Sequence, residues 1–115
     1  MTTTEILTKA RDLLEQGWCQ GVEWIHNKNG GFSCCILGAL QEAEGNHDTR
    51  FDVYDFVYGA LSRLHYEKDI ADFNDAPGRT QAEVLKVMDD AINQAKSATS
   101  IPLAPAMTPK TNPSP

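Results

Sequence analysis

The chain has 115 residues, a formal net charge of −6 and 41% hydrophobic residues, enough for one modest core without disulfides or metal. No apolar run reaches the roughly 18 residues of a membrane span, and the first residues lack the basic and apolar regions of a signal peptide. We therefore expect a single globular domain located in a cytoplasm.

The negative charge is concentrated in the middle of the chain. Residues 42–75 contain nine acidic and three basic side chains, which accounts for the whole net charge, and the other residues carry seven of each. An acidic face on an otherwise neutral domain argues against direct binding to nucleic acid, which requires a basic surface.

The first half of the chain predicts one helix followed by a hairpin. Residues 3–16 carry an apolar stripe at helical spacing, and Thr2 and Glu5 have the spacing of a capping box. Residues 22–25 and 31–34 then flank an Asn-Gly pair, which is typical of the turn in a two-stranded antiparallel β-hairpin.

Two more helices are predicted before the acidic window ends. Ser33 is the predicted N-cap of a second helix that ends near residues 45–46. A third helix is expected from about residue 50 to residue 65, and residues 70–73 are expected to form a short helical turn.

Residues 74–80 form a constrained loop before the fourth helix. Pro77 and Gly78 suit the two central positions of a type II turn, and Thr80 with Glu83 has capping-box spacing. The fourth helix then carries apolar residues at helical spacing up to Ala95.

The end of the chain differs in composition. Residues 98–115 contain five of the six prolines, interleaved with Ser, Thr and Ala, which is typical of a disordered tail. The predicted architecture is thus mainly α: a compact bundle of about four helices with a short β-hairpin in residues 1–97, followed by this tail.

Three short motifs carry a resemblance. They are GWCQG at residues 17–21, GAL at residues 38–40 and NDAPGRT at residues 74–80. The chain resembles a family of small uncharacterised proteins from actinobacteria and their phages that shares these motifs in this order. The resemblance implies a bacterial or phage-encoded cytoplasmic protein and assigns no reaction.

The loop at residues 74–80 admits two interpretations. In the first, its polar side chains only cap the turn and the helix, and its arginine pairs with a nearby acid. In the second, they form a polar cluster for a small anionic or nucleotide-like ligand near the N-terminus of a helix. The candidate ligand-binding residues are Trp18, Trp24, His26, Asn74, Asp75, Arg79 and Thr80.

The acidic stretch also admits two interpretations. It is either a solvated surface or a docking face that competes for a basic surface of a nucleic-acid-binding protein by charge complementarity. Tyrosines beside the acids would then supply contact area. The candidate partner-binding residues are Asp48, Asp52, Asp55, Tyr54 and Tyr58.

Cysteine and histidine give no recognisable site. Cys19, Cys34 and Cys35 are expected to be reduced thiols, and they lack the paired spacing of structural zinc ligands. A catalytic cysteine would need an exposed thiol beside a base such as His26. We expect neither a metal nor a cofactor.

The sequence therefore favours a non-enzymatic binding module that docks a host protein or sequesters a small ligand. The alternatives are a small enzyme of unknown reaction that uses residues 74–79, or an acidic mimic that blocks a nucleic-acid-binding protein. The sequence leaves the oligomeric state and the identity of the partner open.

Overall fold

The computed structural model describes residues 2–28, 30–45 and 51–100, and within them the chain is mainly helical with one antiparallel hairpin. The mainly α class and the hairpin are thus confirmed. The elements are α1 (Thr3–Gln16), β1 (Trp24–His26), β2 (Phe32–Cys34), α2 (Ile36–Glu44), α3 (Phe51–Arg63), α4 (Ile70–Asp75) and α5 (Gln81–Ser100).

The number and bounds of the helices differ from the prediction in two places. The turn expected at residues 70–73 is a six-residue helix, α4, so the described part of the chain has five helices. Helix α5 extends to Ser100, past the predicted start of the tail at residue 98. The rest of that tail lies outside the described residues.

Both predicted capping boxes are present. At α1, Thr2 Oγ1 accepts from Glu5 N at 3.1 Å and Glu5 Oε1 accepts from Thr2 N at 2.7 Å. At α5, Thr80 Oγ1 accepts from Glu83 N at 3.2 Å and Glu83 Oε1 accepts from Thr80 N at 2.9 Å. These backbone hydrogen bonds lower the pKa of both Glu carboxyl groups.

The predicted N-cap of α2 is wrong. Ser33 lies inside β2, and Cys35 caps the helix instead, with its Sγ accepting from Gly38 N at 3.4 Å. The strand continues to Cys34 because its backbone pairs on both sides, and this pairing moves the start of the helix towards the C-terminus.

Helix α5 is packed between α1 and α3. It runs antiparallel to α1, because Gln81 Nε2 at its start donates to Leu14 O at the end of α1, over 2.8 Å. Further along, Arg11 Nε donates to Asp89 Oδ1 at 3.0 Å. The largest fully buried side chains include Leu7, Leu14, Ile36, Leu40, Val53, Val57, Leu61, Ile70, Val84, Val87 and Met88.

The hairpin is joined to the C-terminal end of α1. Strand β2 pairs antiparallel with β1 on one edge, with Trp24 opposite Cys34 and His26 opposite Phe32. On its other edge, Trp18 forms a parallel bridge with Cys34. Strand β2 is therefore the central strand, and β1 is the outer strand.

Two glycines allow the hairpin to lie close to the helices. A Cβ at Gly17 would lie 2.6 Å from the carbonyl oxygen of Phe32, and a Cβ at Gly38 would lie 2.5 Å from that of Glu23. Both distances are far shorter than van der Waals contact, so these positions require glycine. Among the helices described, none has the length and apolar character needed to cross a bilayer.

Candidate functional site

Asn74 is the centre of a buried hydrogen-bond network between α4 and the segment after α1. Its side chain is buried, with 1% of its surface exposed. Its Oδ1 accepts from Trp18 Nε1 at 2.8 Å and from Ile36 N at 3.1 Å, and its Nδ2 donates to Cys19 O at 3.0 Å and to Asp75 Oδ1 at 2.9 Å. The amide therefore uses all four of its hydrogen-bonding positions within the protein.

The two residues after Cys19 extend this network. Gln20 Nε2 donates to the carbonyl oxygens of Asn74 and Ala76, each at 3.0 Å. Gly21 N donates to Asp75 Oδ1 at 2.9 Å. We call this set of contacts between residues 18–21 and residues 74–76 the asparagine clasp.

Arg79 is held by the loop that it belongs to. The turn before it is type II as predicted, because Gly78 has φ of +79° and Arg79 N donates to Ala76 O at 3.0 Å. Its Nε donates to Phe73 O at 2.7 Å, and its guanidinium carbon lies 3.7 Å from the centre of the Phe73 ring. Its Nη1 lies 3.5 Å from Glu83 Oε2.

The structure divides the predicted ligand-binding residues into two groups. Trp18 joins Asn74 and Asp75 in the asparagine clasp, and the Arg79 side chain packs beside it. Thr80 caps α5. Trp24 and His26 instead line a separate cavity of about 240 Å³ together with Phe32 and Glu42.

The clasp shows what the motif residues do chemically. The Asn74 side chain and one carboxylate oxygen of Asp75, Oδ1, already bind residues 18–21, and the Arg79 guanidinium already binds a carbonyl, an aromatic face and a carboxylate. The motifs at residues 17–21 and 74–80 thus bind each other.

Four of the five predicted partner-binding residues lie on α3, and the fifth, Asp48, lies outside the described residues. Asp52 and Asp55 are exposed, and Asp52 accepts a hydrogen bond from the hydroxyl of Thr3. Tyr54 is half-buried, and burial raises the pKa of its phenol. Tyr58 is 42% exposed and donates to Asp69 Oδ1 at 2.9 Å.

Tyr58 borders an open cavity of about 690 Å³ between α3 and α4. The cavity contains three carboxylates, one ammonium group and two phenol rings. Its lining residues are Tyr58, Ser62, Tyr66, Glu67, Lys68, Asp69 and Asp72. We call Tyr58, Tyr66, Glu67, Asp69 and Asp72 the acidic tyrosine surface.

Most residues of this surface were not named as candidates from the sequence. They come together because α3 is followed by a residue in the left-handed conformation, His65, with φ of +60°. Tyr66 N then donates back to Leu61 O at 3.0 Å. This turn places the Tyr66 ring 5.3 Å from the Phe73 ring, at an interplanar angle of 85°. The acidic window at residues 42–75 was the available sequence signal, but it gave no spatial grouping.

The three cysteine thiols are buried or half-buried. Cys34 and Cys35 are buried, and burial raises the pKa of Cys34 to about 12. Cys19 is half-buried, and burial also raises the pKa of its thiol. Within residues 2–28, 30–45 and 51–100, no three His, Cys, Asp or Glu side chains are grouped so that they can hold a metal ion.

The comparison with protein families identifies a family for this chain. A family model described as a family of unknown function, DUF6197, matches residues 1–94, which cover most of the chain and include all three motifs. No curated protein and no solved structure matches the chain. The resemblance inferred from the motifs is confirmed in this respect, and the chain belongs to the DUF6197 family, a family of unknown function.

Proposed function

We propose that this protein is a non-enzymatic binding module that docks a basic segment of another protein on its acidic tyrosine surface. The observation that carries this proposal is the open cavity between α3 and α4, in which three carboxylates and two tyrosines outnumber a single lysine. The exposed carboxylates of Asp52 and Asp55 extend the negative charge along α3.

This surface suits lysine and arginine side chains for two reasons. Carboxylates form charge-assisted hydrogen bonds with ammonium and guanidinium groups, and phenol rings attract cations through their faces. A surface with this excess of negative charge also attracts basic partners over a distance, so association becomes faster at low salt.

The proposed partner is a basic host protein in a bacterial or phage-infected cytoplasm. A basic surface that normally binds nucleic acid is the chemical match, since this protein would compete for it through the same cations. The three thiols, none of which forms a disulfide, are compatible with a reducing compartment.

The loop at residues 74–80 supports a ligand site or an enzyme less well. A ligand would have to replace hydrogen bonds that Asn74 and Asp75 make with residues 18–21. An acid–base mechanism needs an acid and a base positioned beside a substrate. In the asparagine clasp the Asn74 amide is buried, and Asp75 supplies a single exposed carboxylate.

The test measures binding of a fluorescein-labelled oligo-arginine peptide at several salt concentrations. Asp72→Asn removes one exposed carboxylate from the cavity, and Asp12→Asn removes one exposed carboxylate from α1 as the matched control. We expect affinity to fall as salt rises, and Asp72→Asn to weaken binding about threefold or more at low salt. Equal effects of the two substitutions, or binding that does not respond to salt, would refute the proposal.

Once the surface is mapped in this way, partners are captured from bacterial lysate with the wild-type protein and with the Asp72→Asn variant. A partner that is lost with Asp72→Asn and at high salt supports docking through the acidic tyrosine surface. A partner that both proteins retain equally at high salt argues against it.

A further inference from the structure

The outer edge of β1 has backbone groups without a partner in the described part of the chain. In an antiparallel pair, every second residue of a strand hydrogen-bonds the neighbouring strand. Beside β1, Cys35 N donates to Glu23 O at 3.2 Å and Asn27 N donates to Gly31 O at 2.8 Å. With this alternation, Ile25 bonds β2, whereas the N–H and C=O groups of Trp24 and His26 point away from β2.

The side chains around this edge are unusually exposed for their size. Val22 is 50% exposed, Ile25 is 43% exposed and Phe32 is 39% exposed. They account for three of the five exposed large hydrophobic side chains in the described residues. Exposed apolar groups beside an unpaired strand edge are typical of a surface that pairs with another chain.

We propose that the occupant of this edge is a second copy of the same chain, paired antiparallel through β1 about a two-fold axis at Ile25. The register is fixed by which groups point outward: Trp24 of one copy lies opposite the second copy's His26, and the reverse pair follows by symmetry. Each of these two pairs exchanges two hydrogen bonds, so the edge makes four in total. The two hairpins then form one four-stranded sheet.

Both faces of this sheet gain contacts in the same register. Trp24 and His26 lie on one face of β1, so each indole meets the second copy's imidazole. Ile25 lies on the other face, where it meets the second copy's Ile25 across the axis. In any other antiparallel register, at most one of these two residues lies opposite an outward-facing residue of the second copy's β1.

Charge favours a second copy at this edge. The whole chain carries −6, but residues 22–34 contain one acidic and one basic side chain, Glu23 and Lys28. Two copies that meet along β1 therefore bring together segments without net charge and avoid the acidic residues 42–75. The pairing also brings the second copy's His26 and Lys28 towards the face on which Glu42 borders the 240 Å³ cavity.

The interface is small, so the dimer is expected to form only at high protein concentration. One short strand and a few side chains from each copy bury less than the roughly 1,200 Å² of a standard stable interface. This inference is independent of the acidic tyrosine surface, which lies on α3, α4 and the segment between them, so either proposal can fail without the other.

The first experiment is sedimentation velocity on the full chain over a wide concentration range. His26→Pro removes an outward N–H without touching the ladder bond of Ile25, and His26→Ala keeps that N–H as the matched control. We expect a concentration-dependent dimer that His26→Pro weakens about tenfold or more and that His26→Ala weakens less. A wild-type protein that stays monomeric, or a His26→Pro variant that dimerises equally well, overturns the proposal.

The second experiment tests the register and remains decisive if His26→Pro fails to fold, as circular dichroism would show. Under mild oxidation, Ile25→Cys should form a disulfide between copies at position 25, identified by mass spectrometry of the linked peptides. Val22→Cys is the control, because this residue is similarly exposed but pairs with the second copy's Lys28 and not with itself. Equal cross-linking of both variants, or none at position 25, refutes the register.

Discussion

At the scale of single residues, Asn74 connects parts of the chain that are far apart in sequence. Its side-chain amide forms hydrogen bonds with Trp18, Cys19 and Ile36 and is almost fully buried. Water therefore cannot readily replace a hydrogen-bond partner that is lost. The residue therefore stabilises the contact between the segment after α1, the start of α2 and helix α4.

Replacing this amide should destabilise the fold strongly. Asn74→Ala leaves the Trp18 indole N–H, the Ile36 N–H and the Cys19 carbonyl unpaired, and we expect the free energy of unfolding to fall by about 3 kcal/mol or more. Trp18→Phe removes only one donor, so its expected cost is smaller, about 1–2 kcal/mol. Urea denaturation measures both.

The control for this series is Asn93→Ala. Asn93 is exposed on α5, and alanine is the better helix former, so the free energy of unfolding should stay the same or rise by up to about 0.5 kcal/mol. If Asn74→Ala and Asn93→Ala had similar effects, the structural role of the asparagine clasp would be disproved.

Cys34 permits a prediction about thiol chemistry. The residue has no exposed surface, and burial raises its pKa to about 12, so the reactive thiolate is almost absent at neutral pH. Iodoacetamide should label Cys34 in the native protein only when the fold opens, whereas in urea it should label all three cysteines. Rapid native labelling, followed by peptide mass spectrometry, would contradict the burial of this thiol.

At the scale of elements, the close packing of the hairpin against α2 depends on Gly38. A Cβ there would lie 2.5 Å from the Glu23 carbonyl oxygen, and this backbone atom cannot swing away as a flexible side chain can. Alanine gains up to about 1 kcal/mol over glycine in a helix, but the forced displacement of the strand costs about 1–3 kcal/mol. We expect Gly38→Ala to destabilise the protein by about 1–2 kcal/mol.

Gly59 in α3 is the matched test of this argument. The nearest atom to a Cβ at Gly59 is Arg63 Nη1 at 3.5 Å, which is ordinary contact with a flexible side chain. Gly59→Ala should therefore raise the free energy of unfolding by about 0.5–1 kcal/mol. Urea denaturation measures both glycine substitutions. Opposite signs for the two substitutions support the close approach of α2 and β1, and equal signs contradict it.

The difference between local and distant contacts explains how much of this fold the sequence predicts. The caps at Thr2 and Thr80 and the turn at Gly78 are correct because three or four neighbouring residues decide them. The predicted cap at Ser33 is wrong because Cys34 pairs with Trp18, which is distant in sequence. Local chemistry thus predicts the starts of α1 and α5, whereas the start of α2 depends on a contact between distant residues.

The candidate site was less predictable for the same reason. The motif at residues 74–80 was identified as constrained, but its binding to Trp18 and to Gln20 crosses more than 50 residues and leaves no periodic signal. The acidic tyrosine surface depends on the left-handed turn at His65, which sets where Glu67 and Asp69 lie. The composition therefore shows which segment carries the negative charge, but not which acidic residues lie together in space.

At the scale of the whole molecule, the described elements form one connected unit. Helix α5 packs on α1 and α3, while the asparagine clasp ties the segment before the hairpin to α4. Trp18 and Trp24 lie just before and within the hairpin, whereas most helical residues lie outside it. Tryptophan fluorescence and far-ultraviolet circular dichroism thus report on different parts of the molecule.

We expect these two signals to give the same unfolding midpoint, since a domain with one shared core unfolds cooperatively. Met88→Ala tests this cooperativity with a change outside the hairpin. The Met88 side chain is fully buried in α5, and its truncation should lower the free energy of unfolding by about 2–4 kcal/mol. If the unit is cooperative, both midpoints shift together by the same amount in urea. If the fluorescence midpoint stays fixed while the dichroism midpoint falls, the hairpin end unfolds independently, and the asparagine clasp does not couple it to the helices.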